Sequence, residues 1–203
     1  MRGPSDDLEF GLPVSTLRAT RRGTVTVLLG CMFGGKTTEL LRRIRRYPAS
    51  HVLAVKHRID ARYSANEIVS HSGLAYPALA LGHAGDIPQF LTGDTRIIAI
   101  DEAHFFDDHL PEVTLRLANR GVHVVLTSLH PDSWGKPFPV GERLRAIADE
   151  AIVKRAVCAR CGAAADRTQR LTSIVDDKMV GGPESYEPRC RDCWAPPADL
   201  VPL

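Results

Sequence analysis

Apolar positions follow two rhythms along the chain. Residues 24–29 form a β-branched and aliphatic run closed by Gly30, and residues 51–55, 96–100 and 122–126 are near-continuous apolar runs of the same kind. Runs without polar alternation predict strands covered on both faces, as in a parallel sheet between layers of helices. Elsewhere the spacing lengthens. Leu40, Leu41 and Ile44 recur among arginines and predict an amphipathic helix over residues 37–46. Residues 110–119, with Pro111 tolerated in the first turn, predict a second helix, residues 142–152 a third, and residues 152–157 a further strand. Strands alternating with helices imply an α/β fold whose ligands sit at the carboxyl ends of the strands.

The periodicity also divides the chain. Residues 1–22 mix charge, Pro and Gly without a sustained pattern and read as a flexible leader. The α/β pattern occupies residues 23–150, and beyond Pro137 the texture shifts towards paired cysteines and turn residues, which sets off residues 151–194 as a small metal-binding domain. Residues 195–203 form a Pro-rich tail, and no internal repeat is present.

Composition narrows the classes without choosing among them. The chain has 203 residues, 44% hydrophobic and 25% charged, enough for one full-sized domain with an appendage. A net charge of +2 does not require a nucleic-acid or anionic-membrane partner, and neither is expected. No stretch approaches the ~20 apolar residues that span a bilayer. Asp6, Asp7 and Glu9 are at odds with a secretory signal, so a cytoplasmic location is expected. In that reducing setting, four of the five cysteines, paired as Cys158/Cys161 and Cys190/Cys193, read as a metal site rather than as disulfides.

Candidate chemistry starts at Gly30-Cys31-Met32-Phe33-Gly34-Gly35-Lys36-Thr37, which fits G-x-x-x-x-G-K-[ST] after a strand and at the start of a helix. The glycines let backbone N–H groups converge on phosphate oxygens, Lys36 adds a point charge, and the Thr37 hydroxyl can ligate Mg²⁺. Asp101 and Glu102 end the apolar run of residues 97–100. Asp101 is the natural second Mg²⁺ partner, and Glu102 lies where a base would take a proton from an attacking hydroxyl. Asp101-Glu102-Ala103-His104 also spells the D-E-A-H tetrapeptide of a helicase class, although two motor lobes would need more chain.

The two C-x-x-C knuckles can supply four thiolates to a tetrahedral Zn²⁺. The 28 residues between them exceed a minimal ribbon, and the excess predicts a loop anchored at both ends. Cys31 reads as a small packing residue.

The phosphate loop continuing through Thr38, Glu39, Leu40 and Leu41, the Asp101-Glu102-Ala103-His104-Phe105-Phe106 segment, and the knuckles around Gly181-Gly182-Pro183-Glu184-Ser185-Tyr186 together resemble the zinc-containing, cytosolic type of thymidine kinase over residues 24–194. The resemblance implies an α/β fold with a P-loop NTPase-like, mostly parallel sheet and a small C-terminal zinc-ribbon/lasso domain. It further implies ATP as phosphoryl donor with Mg²⁺, a deoxynucleoside acceptor, structural Zn²⁺ and a homotetramer. By position it makes residues 30–37 and 101–104 the ATP site, Glu102 the base, Thr37 and Asp101 the Mg²⁺ partners, and Cys158, Cys161, Cys190 and Cys193 the Zn²⁺ ligands. Met32, Phe105, Thr168, Gly181, Gly182 and Tyr186 would hold the nucleoside, the last three within the enclosing lasso. Asp60, Arg62 and His71 fall in segments that also resemble the family.

Departures fall in the phosphate loop and around the base. Gly34 stands where the family usually has Ser, and His104 where Gln is common. His130 and Ser133 replace an acid or amide and an aromatic, with Trp134 one position away from that aromatic. The expected activity is phosphorylation of the thymidine 5′-hydroxyl to the monophosphate. The alternatives are a relaxed-specificity deoxynucleoside kinase and a zinc-ribbon nucleic-acid-binding ATPase.

Overall fold

The computed structural model describes residues 22–60, 64–172 and 180–197. Residues 1–21 of the expected leader, residues 198–203 of the expected tail, Arg62 and residues 173–179 of the expected lasso lie outside them. The apolar runs form strands β1 (Val25–Gly30), β2 (Val52–His57), β6 (Ile97–Asp101) and β7 (His123–Leu129). Short β5 (Leu79–Leu81) and β8 (Glu150–Lys154) complete a six-stranded sheet in the order β5-β2-β6-β7-β1-β8, with every pairing parallel. The fold is therefore α/β around a parallel sheet.

Both faces of this sheet are covered, which is why its strands lack polar alternation. Val25, Val27, Leu29, Ile98, Ile100, Val124 and Leu126 point to one side, where helices α2 (Leu110–Asn119) and α3 (Pro139–Ile147) pack through Leu110, Val113, Leu117, Val140 and Leu144. Leu28, Ala54, Ile97, Ala99 and Val125 point to the other side, against Leu40, Leu41 and Ile44 of α1 (Lys36–Ile44). Ile68 and Tyr76 of the antiparallel hairpin β3 (Glu67–Val69) and β4 (Ala75–Pro77) close that second layer.

The third helix and the strand after it differ from the sequence expectation of residues 142–152 and 152–157. Pro139 occupies the first helical turn, so α3 starts earlier, and its backbone turns extended at Ala148. The chain then enters β8, where Thr26–Gly30 supply a parallel partner for residues 150–154. The sheet therefore runs on to Lys154, past residue 151, where the small domain was expected to begin. That small unit is built from two antiparallel ladders, β9 (Ala156–Val157) with β10 (Ala164–Ala165), and β11 (Arg167–Arg170) with β12 (Tyr186–Arg189). Among the described residues no helix is long and apolar enough to cross a membrane.

Candidate active site

The carboxyl ends of the parallel strands gather the polar groups. In register, Gly30 pairs with Leu129 and Lys56 with Asp101, so β1, β2, β6 and β7 deliver their last residues to one edge of the sheet. A cavity of about 210 Å³ opens there, lined by Met32, Phe33, Gly35, Lys36, Thr37, Asp60, His71, Asp101, Glu102, His104 and Phe105 among others.

The loop before α1 owes its path to its glycines. Gly30 has φ +139°, and a Cβ there would sit 2.1 Å from the Lys154 carbonyl oxygen. At Gly35, φ is +76° with open space around the missing Cβ, so the requirement is conformational only. A Cβ on Gly34 would approach Lys154 O to 3.2 Å, so the glycine lets the loop settle against β8. Gly30, Cys31 and Gly34 support the cavity from behind rather than line it. The Cys31 thiol is buried, which raises its pKa, and it donates to Ala165 O at 3.4 Å. The Lys36 ammonium is buried too, and donates to Cys31 O at 2.8 Å.

Asp101 and Glu102 occupy different environments. The Asp101 carboxylate lies 3.3 Å from the Thr37 hydroxyl, which donates to it, and accepts a short bond from Thr127 Oγ1 at 2.5 Å. Burial, reinforced by the neighbouring Glu102 charge, pushes its pKa up to about 7 despite the Thr127 bond. Glu102 adopts the left-handed conformation, φ 51° and ψ 47°, and its N–H donates to Thr127 Oγ1 at 3.0 Å. A non-glycine residue in that region turns the chain sharply off the strand and aims its side chain into the cavity. Ala103, by contrast, is fully buried in the core and does not line the cavity.

His104 packs against Phe105 and Phe138 at tilts of 40° and 48°, with ring centroids 4.2 and 4.6 Å away. Its Nδ1 accepts from Leu129 N–H at 3.2 Å, and its Nε2 lies 3.5 Å from Glu102 Oε2. The same ring lines a second, smaller cavity of about 20 Å³ with Met32, Phe105, Leu129, Ser133, Phe138, Thr168 and Tyr186. The structure thus brings Met32, Phe105, Thr168 and Tyr186 together around one small cavity. Gly181 and Gly182 do not line either cavity. Gly182 O instead caps the turn into β12 by accepting from Ser185 N and Tyr186 N. Ser133 is buried in the small cavity, and Trp134 is not part of its lining. About 20 Å³ holds roughly one water, so a nucleobase enters only if this wall moves.

Two residues here escaped the sequence reading. Thr127 bridges both carboxylate residues, and its signal was a hydroxyl directly after the apolar run of residues 122–126. Lys56 is buried, pairs with Asp60 at 3.5 Å and donates to Ser64 O and Glu67 O, which ties β2 to the hairpin behind the cavity. A lysine ending an apolar strand was the available clue. His71 reaches the cavity from the β3–β4 turn and packs on Phe33 at 4.6 Å.

The four paired cysteines form a compact cluster with sulfurs all within 4.8 Å of one another. A tetrahedral ion with bonds of about 2.3 Å would place them about 3.8 Å apart, so the cluster can hold a metal ion. Backbone N–H groups of Cys190, Arg160 and Cys161 bring the Cys158 thiol down to about 6, whereas the neighbouring cysteines push Cys193 up to about 12 and raise Cys161 too, so without a bound cation the four thiols do not ionise together. The cysteine unit touches the phosphate loop directly: Ala165 O accepts from Cys31, and Thr168 Oγ1 accepts from Met32 N at 3.1 Å.

Comparison with known proteins places this geometry. A sequence-family model described as thymidine kinase matches residues 23–194. The curated thymidine kinase of Roseiflexus sp. (strain RS-1) is 40% identical over 188 residues, covering 86% of this chain and 96% of that protein. Among solved structures, the Thermotoga maritima RuvB Holliday junction branch migration motor matches with a TM-score of 0.38 and 15% identity, over 64% of this chain and 37% of its own. A likeness that loose says nothing about what this chain does. The family match spans both the sheet and the cysteine unit, and the relative aligns almost end to end, so this chain belongs to the thymidine kinase family.

Proposed function

We propose that the protein transfers the γ-phosphate of ATP to the 5′-hydroxyl of thymidine, giving thymidine monophosphate and ADP. The observation that carries the reading is one cavity lined by Met32, Phe33, Gly35, Lys36 and Thr37 of the phosphate loop and by the Glu102 carboxylate. Residues 30–37 cradle the triphosphate, with loop N–H groups and Lys36 offsetting its charge. Thr37 and Asp101, already 3.3 Å apart, would hold Mg²⁺, which neutralises charge on the β- and γ-phosphates when bound. The hydroxyl oxygen attacks the γ-phosphorus, the bond to the β-phosphate oxygen breaks, and the hydroxyl proton passes to Glu102. Met32, Phe105, Thr168 and Tyr186 enclose the nucleoside, and Gly181 and Gly182 shape the turn that carries Tyr186.

Zn²⁺ suits the four-thiolate cluster, where it fixes the base of the C-terminal unit. The wider reading is a cytosolic homotetramer, checked by light scattering. Glu102→Gln is expected to lower transfer by about 10²-fold or more while ATP still binds. Near-normal turnover of thymidine by that variant removes Glu102 as the base. Assay of thymidine, deoxyuridine, deoxycytidine and purine nucleosides with Mg-ATP tests the acceptor. Phosphate release stimulated by DNA or RNA, without nucleoside monophosphate, overturns the whole reading.

A further inference from the structure

The imidazole of His104 is held on three sides. Leu129 N–H donates to Nδ1 at 3.2 Å, and Phe105 and Phe138 pack on the ring, whose side chain is 2% exposed. In a neutral imidazole whose Nδ1 accepts, the proton sits on Nε2. That nitrogen lies 3.5 Å from Glu102 Oε2. We propose that His104 is a positioning residue for phosphoryl transfer, orienting the Glu102 carboxylate through its Nε2–H; this rests on the reading of Glu102 as the base.

The backbone of Glu102 is fixed by Thr127 and the left-handed turn, but a glutamate side chain keeps three further torsions. Tying Oε2 to that ring fixes which way the carboxylate faces and removes much of that freedom before reaction. A separation of 3.5 Å is at the long limit of a hydrogen bond, and catalytic contacts of this length tighten as the substrate complex forms. His104 lines both cavities, so movement of the small cavity's wall around a nucleoside acts on the same ring that meets Glu102.

The test uses the full-length protein and two replacements. His104→Phe keeps an aromatic ring in the stack and removes both nitrogens. His104→Gln restores an acceptor for Leu129 N–H and a donor for Glu102. We expect His104→Phe to lower kcat about 10- to 100-fold with the nucleoside KM changed less than about threefold, and His104→Gln to recover to within about fivefold of the parent. In a Glu102→Gln background, followed by labelled-ATP transfer, adding His104→Phe is expected to cost less than about threefold more, because effects routed through one residue are not additive. A parent-like kcat in His104→Phe, a glutamine variant as slow as the phenylalanine one, or an undiminished penalty in the double variant overturns the proposal. Near-normal turnover in Glu102→Gln alone strikes instead at the base assignment. ¹⁵N-histidine spectra of the parent, assigned by the signal lost in His104→Gln, read the tautomer without any folding risk in the phenylalanine variant. Protonation at Nε2 supports the proposal, and protonation at Nδ1 overturns it.

Discussion

Asp101 is buried beside a second carboxylate, and the bond from Thr127 and the charge of Lys36 offset only part of that burden. Its folded-state pKa of about 7 lies above the ordinary 3.8, so the folded protein holds this proton more tightly than the unfolded chain. The contribution to stability is therefore full below about pH 4 and is lost as pH rises through about 7. Without added magnesium, melting temperature is expected to fall across that window, and Asp101→Asn to flatten the slope and gain at least about 1 kcal/mol at pH 8 while losing activity. An equally steep slope in the asparagine variant rejects this account. Asp101 and Glu102 were legible in the sequence because they directly follow an apolar strand. Thr127, which organises both, was not, because its proximity arises from the pairing of β6 with β7 rather than from any spacing along the chain.

At the level of elements, the phosphate loop is a contiguous motif whose two outer glycines do different work. Gly30→Ala would place a methyl group against Lys154 O and force β1 away from β8, whereas Gly35→Ala meets open space and must only sustain a positive φ. Urea unfolding is expected to show Gly30→Ala losing about 2 kcal/mol or more and Gly35→Ala nearer 1 kcal/mol. Equal losses contradict the steric explanation. The four long core strands and the first two helices followed from periodicity, since burial on both faces and amphipathic spacing are local signals. Helix α3 was displaced along the chain because its end is set by the partner β8 finds on β1, which lies more than a hundred residues upstream. The β3–β4 hairpin and short β5 carry too few residues for a period to emerge.

Across the whole molecule, the cysteine unit and the phosphate loop are joined by the Cys31–Ala165 and Met32–Thr168 hydrogen bonds. Cys190→Ser is accordingly expected to lower metal content by elemental analysis and raise the KM for ATP together. Unchanged metal, or metal loss with an unaltered KM, argues against that coupling. The sequence by itself determined the layered α/β plan, the phosphate loop, the carboxylate pair and the four-cysteine cluster, because each is written in residues close along the chain or in a spacing with few other uses. Tertiary structure alone decided that Thr127 joins the two carboxylates, that Lys56 sits behind the cavity, that Ala103 turns into the core, and that His104 faces Glu102. Parallel strands bring residues from remote turns to one edge of a sheet, and which side chains meet there depends on register and packing, which no local pattern encodes.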